Sequence, residues 1–221
     1  MAVASGIRNG IDLTVNASFP RSGNHLLLEL LERVYPEGTV RACDTHEEPW
    51  RRIGVCAETN LQKTHDLKLD EPVLADHVHL VQVRYPVESI VSWYRMATAS
   101  GLTDTPENWQ LYAMRVASFW LRFYRKWVLD PVPNRVLVDY ASLVDDTAGT
   151  LRRVCDALGG PAVSSTAIGL ACESVDTTRR NDVRSFKYHG KQFFGALNGY
   201  FCTTPGVDVE GERLRLDQLS R

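Results

Sequence analysis

The sequence lacks the marks of a disulfide-stabilised, zinc-binding or membrane-spanning protein. Its five cysteines are an odd number and form no Cys-x-x-Cys pair, which favours reduced thiols and argues against a zinc site. No stretch reaches the roughly 18 consecutive apolar residues that a membrane-spanning helix needs, and no apolar leader typical of a signal peptide opens the chain. We therefore expect a cytoplasmic protein that has no membrane segment and binds no metal.

The chain also lacks any large excess of charge. Its formal net charge is -2, so bulk electrostatics give no support for a nucleic-acid partner, and an anion site must depend on basic groups placed locally. Hydrophobic residues make up 44% and charged residues 24% of the chain, an ordinary composition for a globular protein. The length of 221 residues suits one core, and we predict a single domain over residues 1–221.

Periodic hydrophobic patterns predict an alternation of strands and helices. Apolar residues at helical spacing predict a helix over residues 24–34, which the stretch Tyr-Pro-Glu-Gly ends. The other predicted helices lie at 86–98, 107–128, 142–159 and 162–174, and the predicted strands at 11–19, 77–84 and 134–140, with a short strand ending within 60–66. Residues 36–60 are polar and irregular, and we interpret them as a long surface excursion. This alternation indicates an α/β fold with a mostly parallel central sheet flanked by helices.

The stretch FPRSGNH, residues 19–25, connects the first predicted strand to the first predicted helix. Backbone N–H groups at the start of a helix and the helix dipole favour a bound anion. Gly23 lets the backbone approach a ligand closely, Ser22 belongs to the same turn, and Arg21 adds a planar set of donors. Asn24 and His25 add side-chain donors where the helix begins. By itself the segment is either an anion site or a polar turn that caps the helix.

The chemistry of this loop depends on what it lacks. It has no Gly-Lys-Ser/Thr ending, so the hydroxyl that holds magnesium in nucleotide hydrolases is missing. A sulfuryl group carries one negative charge where a terminal phosphoryl carries about two, and it therefore needs less neutralisation. Two alternatives remain open: a P-loop kinase-like phosphotransferase with an altered loop, and a non-catalytic nucleotide-binding protein that kept the fold.

Four segments resemble, in the same order, those of the sulfotransferases that use 3′-phosphoadenosine 5′-phosphosulfate (PAPS). FPRSGNHLL resembles the loop that binds the 5′-phosphosulfate, and LQKTHD resembles the Lys-Thr-His segment of the cytosolic small-molecule branch. VRYPVESIVSWYR is similar to the segment that binds the 3′-phosphate, and VLVDYASLVDDT to the Arg-Tyr-Glu-Asp-Leu stretch that follows a core strand. The resemblance covers residues 15–150 and implies a P-loop nucleotide-hydrolase-like fold.

The resemblance also implies an activity. A sulfuryl group would pass from PAPS to a hydroxyl or amine of a small-molecule acceptor without a metal, leaving adenosine 3′,5′-bisphosphate (PAP). Arg84 and Ser92 would bind the 3′-phosphate, because a serine stands eight residues after an arginine as in the family.

The catalytic roles implied by the resemblance fall on three side chains. His65 would be the general base, since an imidazole near neutral pKa suits removal of the acceptor proton. Lys63 and Arg21 would stabilise negative charge on the sulfuryl group and the bridging oxygen. We also expect the neighbouring Asp66 to orient the His65 ring.

The sequence departs from the family pattern within the first loop. Arg21 stands where the family has a lysine, which keeps the charge but cannot donate a proton. Asn24 and His25 stand where it has two threonines, so His25 is a competing candidate for the base. Leu26 replaces a tryptophan that stacks on adenine, and we expect another residue such as Trp93 to take over that contact.

Two later segments have alternative interpretations. The stretch RSFKYHGKQFF is either the counterpart of a late Arg-Lys-Gly loop that closes on the 3′-phosphate, through Lys187, Gly190 and Lys191, or a basic surface turn. The long helix carries four aromatic residues close together, for which we favour core packing over an acceptor pocket: Trp120, Phe123, Tyr124 and Trp127.

Overall fold

A computed structural model of the chain describes residues 10–44, 59–175 and 187, and a five-stranded parallel sheet lies at its centre. The strands are β1 (Thr14–Ser18), β2 (Ala42–Asp44), β3 (Leu61–Thr64), β4 (Val78–Val83) and β5 (Arg135–Asp139). They lie side by side in the order β2-β3-β1-β4-β5, and all four pairings are parallel. The predicted α/β fold with a parallel central sheet is confirmed.

Helices connect the strands and flank the sheet. They are α1 (Asn24–Val34), α2 (Pro86–Ala99), α3 (Pro106–Tyr124), α4 (Tyr140–Asp145), α5 (Thr147–Leu158) and α6 (Ser165–Ser174). A π-helical segment, Arg125–Leu129, continues α3 and is called the π-turn below. Within the described part of the chain, no helix is long and apolar enough to cross a membrane.

Alternating side chains of the strands enter two cores, one on each face of the sheet. Val15 and Ala17 of β1 belong to a core formed with α2 and α3, whereas Leu80 of β4 belongs to a core formed with α1, α5 and α6. Because both faces of these central strands are covered, β1 and β4 bury polar side chains such as Asn16 and Gln82 as well as apolar ones. The four aromatic residues near the end of α3 are buried in the first core, so the prediction that they pack the core is confirmed.

Two elements differ from the predictions. Residues 36–60 contain β2, which pairs with β3 at the edge of the sheet formed by the described strands and is too short to show a period. The helix predicted over 142–159 is two helices, because the Asp146 side chain accepts a hydrogen bond from the Gly149 N–H (3.0 Å) and starts α5 anew.

Candidate active site

Three polar loops meet at the carboxyl-terminal edge of the sheet. They follow β1, β3 and β4, which are neighbours in the order β3-β1-β4. His65 after β3 hydrogen-bonds to Ser18 at the end of β1, and Arg84 after β4 hydrogen-bonds to Arg21 in the β1–α1 loop. In parallel sheets this edge is where ligands bind. The structure thus brings together the first three of the four segments that resemble the sulfotransferases.

The β1–α1 loop is a tight turn that ends on a glycine. The Ser22 hydroxyl donates to the Phe19 carbonyl at 2.6 Å, and Ser22 is buried. Gly23 has φ 88° and ψ 21°, a left-handed conformation that side chains disfavour. It also faces the ring of Tyr140, since an added Cβ would lie 2.6 Å from a ring carbon. Both conditions require glycine at this position.

The start of α1 has no side-chain cap. Four other helices begin with a capping side chain, and the capping residues of α3, α4, α5 and α6 are Thr105, Asp139, Asp146 and Ser164. Gly23 has none to offer α1, so the N–H groups of its first turn are not satisfied by a cap. This arrangement, with the dipole of an 11-residue helix, suits an anion.

His65 is held in one tautomer by the end of β1. Its Nδ1 lies 2.7 Å from the carbonyl oxygen of Ser18 and 3.3 Å from the Ser18 hydroxyl. A carbonyl oxygen only accepts hydrogen bonds, so Nδ1 carries the proton and Nε2 carries the lone pair. The half-buried imidazole therefore has the form that a general base needs.

The first two residues of α1 differ in exposure, since Asn24 is buried against the sheet and His25 is exposed. The Asn24 amide donates to the Ser18 hydroxyl at 3.2 Å and to the Gln82 side-chain oxygen at 3.4 Å, and Asn24 is buried. Its side-chain donor is thus used within the protein.

Arg84 is a buried cation with one unused donor. Its Nε donates to Glu88 at 2.8 Å, its Nη1 donates to the Arg21 carbonyl at 3.4 Å, and its guanidinium lies 4.0 Å from the Tyr140 ring centre. Only 5% of Arg84 is exposed, yet its Nη2 has no hydrogen-bond partner among the residues that the structure describes. An unpaired buried donor is costly, so this nitrogen is suited to an anionic ligand.

Arg21 links the loop to Ser92 on α2. The Arg21 Nε donates to the Ser92 hydroxyl at 3.0 Å, and Ser92 is buried, so it does not face solvent. Arg21 itself is exposed and has φ 68°, a conformation that is uncommon for a side-chain-bearing residue. The β1–α1 loop, Arg84 and Ser92 therefore form one connected group of donors.

Of the remaining predicted site residues, the structure describes Lys63 and Lys187. Lys63 is buried in β3, in register with Asn16 of β1 and two residues before His65. The ammonium of Lys187 lies 2.5 Å from the carboxylate of Asp104, in the connection between α2 and α3. Gly190 and Lys191 lie outside the described residues.

The Asp66 carboxylate points to the π-turn, so it does not orient His65 by the direct contact with the imidazole ring that we expect from the sequence. The Asp66 carboxylate accepts from Lys126 Nζ at 2.6 Å and from Trp127 Nε1 at 2.9 Å, both in the π-turn. Its other oxygen accepts from the Glu71 N–H at 3.0 Å. The ring of His65 is oriented instead by Ser18, a residue that no sequence pattern singled out because its acceptor is a backbone carbonyl.

Glu71, a buried carboxylic acid with a raised pKa, lies against Thr64 and Asp66. Burial of Glu71, and secondarily the charge of Asp66, raise the pKa of the Glu71 carboxyl to about 7. The Thr64 hydroxyl donates to it at 3.3 Å, which lowers the pKa by a smaller amount. Glu71 is thus protonated in the folded chain at mildly acid pH.

Replacing Glu71 with glutamine is expected to flatten the pH dependence of stability between about 4.5 and 7. The folded chain keeps the Glu71 proton up to about pH 7, whereas the unfolded chain releases it near 4.5, so the free energy of unfolding falls as pH rises through this window. The full loss of unfolding free energy across this window is roughly 3 kcal/mol, and the neutral glutamine avoids it.

Thermal unfolding at a series of pH values measures this slope. Glu32→Gln is the matched control, since Glu32 is exposed on α1 and is solvated in both states. We expect the control to keep the wild-type slope. If the Glu71→Gln variant also kept the wild-type slope, the raised pKa would not belong to Glu71.

The comparisons with known proteins agree with this geometry. The family model described as "Sulfotransferase domain" matches residues 14–193. A 3-alpha-hydroxysteroid sulfotransferase from Cavia porcellus is 21% identical over 196 residues, with 78% of this chain and 68% of that protein covered.

Two solved structures share the fold. The mouse sulfotransferase SULT7A1, complexed with PAP, has a TM-score of 0.65 at 15% identity, with 95% of this chain and 88% of that chain covered. The sulfotransferase domain of the Synechococcus PCC 7002 olefin synthase has a TM-score of 0.51 at 15% identity, with 87% of this chain and 95% of that chain covered.

Proposed function

The chain belongs to the sulfotransferase family, and we propose that it transfers a sulfuryl group from PAPS to a hydroxyl or amine of a small-molecule acceptor, with His65 as the general base. The observation that carries the proposal is the connection of two anion-binding groups through Arg21. Its Nε hydrogen-bonds to Ser92 and its carbonyl to Arg84, while the loop to which it belongs leads into α1. A donor that carries anions at both ends needs two such groups.

The residues present fit this donor. We assign the phosphosulfate to the β1–α1 loop, where Ser22 and Gly23 shape the turn and the uncapped N–H groups of α1 are donors. We assign the 3′-phosphate to Arg84 and Ser92, because the buried Arg84 Nη2 has no hydrogen-bond partner within the described ranges. When bound, PAPS supplies an activated sulfuryl group and a stable leaving phosphate.

The chain's own residues provide proton transfer and charge stabilisation. The acceptor atom forms a bond to sulfur, the bond from sulfur to the 5′-phosphate oxygen breaks, and the acceptor proton passes to His65 Nε2. The Ser18 carbonyl accepts the hydrogen bond from Nδ1 and stabilises the imidazolium that results. Lys63 and Arg21 add positive charge, which stabilises the charge that develops on oxygen.

Calorimetric titration tests the donor assignment. PAP is expected to bind in the presence of a chelator, and at least about tenfold more tightly than ATP with magnesium, because ATP lacks the 3′-phosphate that Arg84 would bind. A magnesium-dependent preference for ATP would instead favour the phosphotransferase.

A pair of arginine variants makes the titration specific. Arg84 and Arg33 each pair with a glutamate four residues away in the chain, but Arg33 lies on the exposed side of α1. Arg84→Met is expected to weaken PAP by about 10–100-fold, since a hydrogen bond to a charged group is worth roughly 1.5–3 kcal/mol. Arg33→Met is expected to leave PAP affinity unchanged, and equal effects would place the 3′-phosphate elsewhere.

A further inference from the structure

A buried carboxylate joins the loop after β3 to the π-turn. The Asp66 side chain has no solvent exposure, and its two oxygens accept three hydrogen bonds, from Lys126, Trp127 and the Glu71 backbone. Lys126 Nζ also donates to the Glu71 carbonyl at 2.6 Å. A buried charge that is paired and fully hydrogen-bonded fixes the position of its partners, since breaking it leaves a charge uncompensated.

The backbone at Asp66 is held in an unfavourable conformation. Asp66 has φ 42° and Leu69 has φ 59°, both in the left-handed region that costs about 1 kcal/mol or more for such residues. The Asp66 N–H donates to the Thr64 hydroxyl at 2.9 Å, so the turn is tied to the end of β3 as well. Strained residues persist where the surrounding contacts over-determine them, and they cluster at functional sites.

The π-turn is the local feature that presents two consecutive side chains to one carboxylate. Neighbours along an α-helix point about 100° apart, yet Lys126 and Trp127 both reach the same Asp66 oxygen. The helix widens here, as the Asp130 N–H donates to the Arg125 carbonyl at 2.8 Å. Such single π-turns within helices are frequent at functional sites.

The π-turn is itself anchored to the sheet. Arg135, the first residue of β5, donates from Nη1 to the carbonyls of Trp127 at 3.2 Å, Val128 at 2.5 Å and Asp130 at 3.3 Å. The indole of Trp127 is buried and lies 5.9 Å from the His79 ring of β4, centre to centre. Asp66 is therefore tied to a rigid element and not to a surface loop.

We propose that Asp66, Lys126 and Trp127 are positioning residues for His65. This inference rests on the proposed function, in which His65 is the base. His65 is held on one side by the Ser18 carbonyl and on the other by its covalent neighbour Asp66, whose carboxylate is fixed to the π-turn. The three residues act on the imidazole through the backbone, and they keep the Nδ1 proton on the Ser18 carbonyl, which places the lone pair on Nε2.

Trp127→Phe is the sharpest variant, because it removes one hydrogen bond to Asp66 and keeps most of the packing. Long-range proton–nitrogen correlation spectra report the tautomer of each histidine, and the His65→Asn variant assigns the His65 signals. We expect wild type to show Nδ1 protonated, and Trp127→Phe to show a mixture of tautomers. A second variant, Asp66→Asn with Lys126→Met, removes the ion pair without leaving a buried charge, and we expect the same mixture.

Trp109→Phe is the matched control for loss of an indole. Trp109 is buried in the same core and packs on Tyr94, 5.0 Å away between ring centres. It is expected to lower the melting temperature and leave the His65 tautomer unchanged. An unchanged tautomer in both test variants, or an equal change in Trp109→Phe, would overturn the proposal.

Turnover separates a positioning role from a merely structural one. With radiolabelled PAPS and a mixture of phenols, alcohols and amines, Trp127→Phe is expected to lower kcat by roughly 10–100-fold, as misplacement of a catalytic group does. The affinity for PAP, measured by calorimetry, is expected to stay within about twofold. A parallel loss of PAP affinity would assign these residues to the donor site. The tautomer is measured without donor or acceptor, so this inference and the proposed function fail separately.

Discussion

Replacing His65 with alanine is expected to lower kcat by about 10²–10⁴-fold, the range that a general base contributes. The affinity for PAP is expected to stay unchanged, because neither Arg84 nor Ser92 hydrogen-bonds to His65. The imidazole is prepared for this role before any ligand binds, since the Ser18 carbonyl 2.7 Å away leaves the lone pair on Nε2. The measurement is the rate of labelled product formation at saturating PAPS.

Two other histidines make the result specific. His77 directly precedes β4, at the opposite end of the strand from the site, and His77→Ala is expected to keep kcat. His25 is exposed in the first turn of α1, so His25→Ala is expected to raise the KM for PAPS and leave kcat within about threefold. If His25→Ala abolished turnover and His65→Ala did not, His25 would be the base.

The sequence predicted those elements whose signal is local. The leucines of α1 recur at helical spacing and a proline with a glycine follows, so the predicted bounds 24–34 equal those observed. The division of the predicted 142–159 helix was not evident, because Asp146 is compatible with both a helix and a cap. The π-turn was not evident either, because the aromatic residues of α3 and the π-turn recur three or four residues apart, as they would in a continuous α-helix.

The sequence indicated which segments form the site, but not which side chains contact one another there. Three of the four segments that resemble the sulfotransferases follow strands of the sheet, and they converge because parallel strands end at one edge of the sheet. The partner of a side chain depends on tertiary packing, which the sequence order does not determine. Asp66 is adjacent to His65 in sequence, yet its carboxylate hydrogen-bonds to Lys126 and Trp127, about 60 residues later.

Tyr140 shows how one buried ring connects the two anion-binding groups. The Arg84 guanidinium lies 4.0 Å from its centre, and Gly23 faces the same ring. Cation–π contacts of a desolvated arginine are worth about 2 kcal/mol, so the ring helps to fix Arg84 where its Nη2 can reach a ligand. A change in the β1–α1 loop that moves Tyr140 is therefore expected to displace the Arg84 guanidinium as well.

Replacing Gly23 with alanine is accordingly expected to lower both stability and PAP affinity. The left-handed φ of 88° costs about 1 kcal/mol for alanine, and the overlap with Tyr140 adds roughly 1–3 kcal/mol as over-packing does. Because the buried ring cannot move without shifting Arg84, the affinity for PAP is expected to fall by at least about tenfold. Chemical denaturation and calorimetry measure the two effects.

Gly38→Ala is the matched control for this variant. Gly38 has φ 77°, but a Cβ there would meet no atom within 4 Å, so the substitution carries the backbone cost alone. It is expected to lose only about 1 kcal/mol and to bind PAP as wild type does. The difference between the two variants isolates the contact with Tyr140, because their backbone strain is nearly the same. Equal losses of stability would mean that Tyr140 yields to the added methyl, and the loop would then be free to change without affecting Arg84.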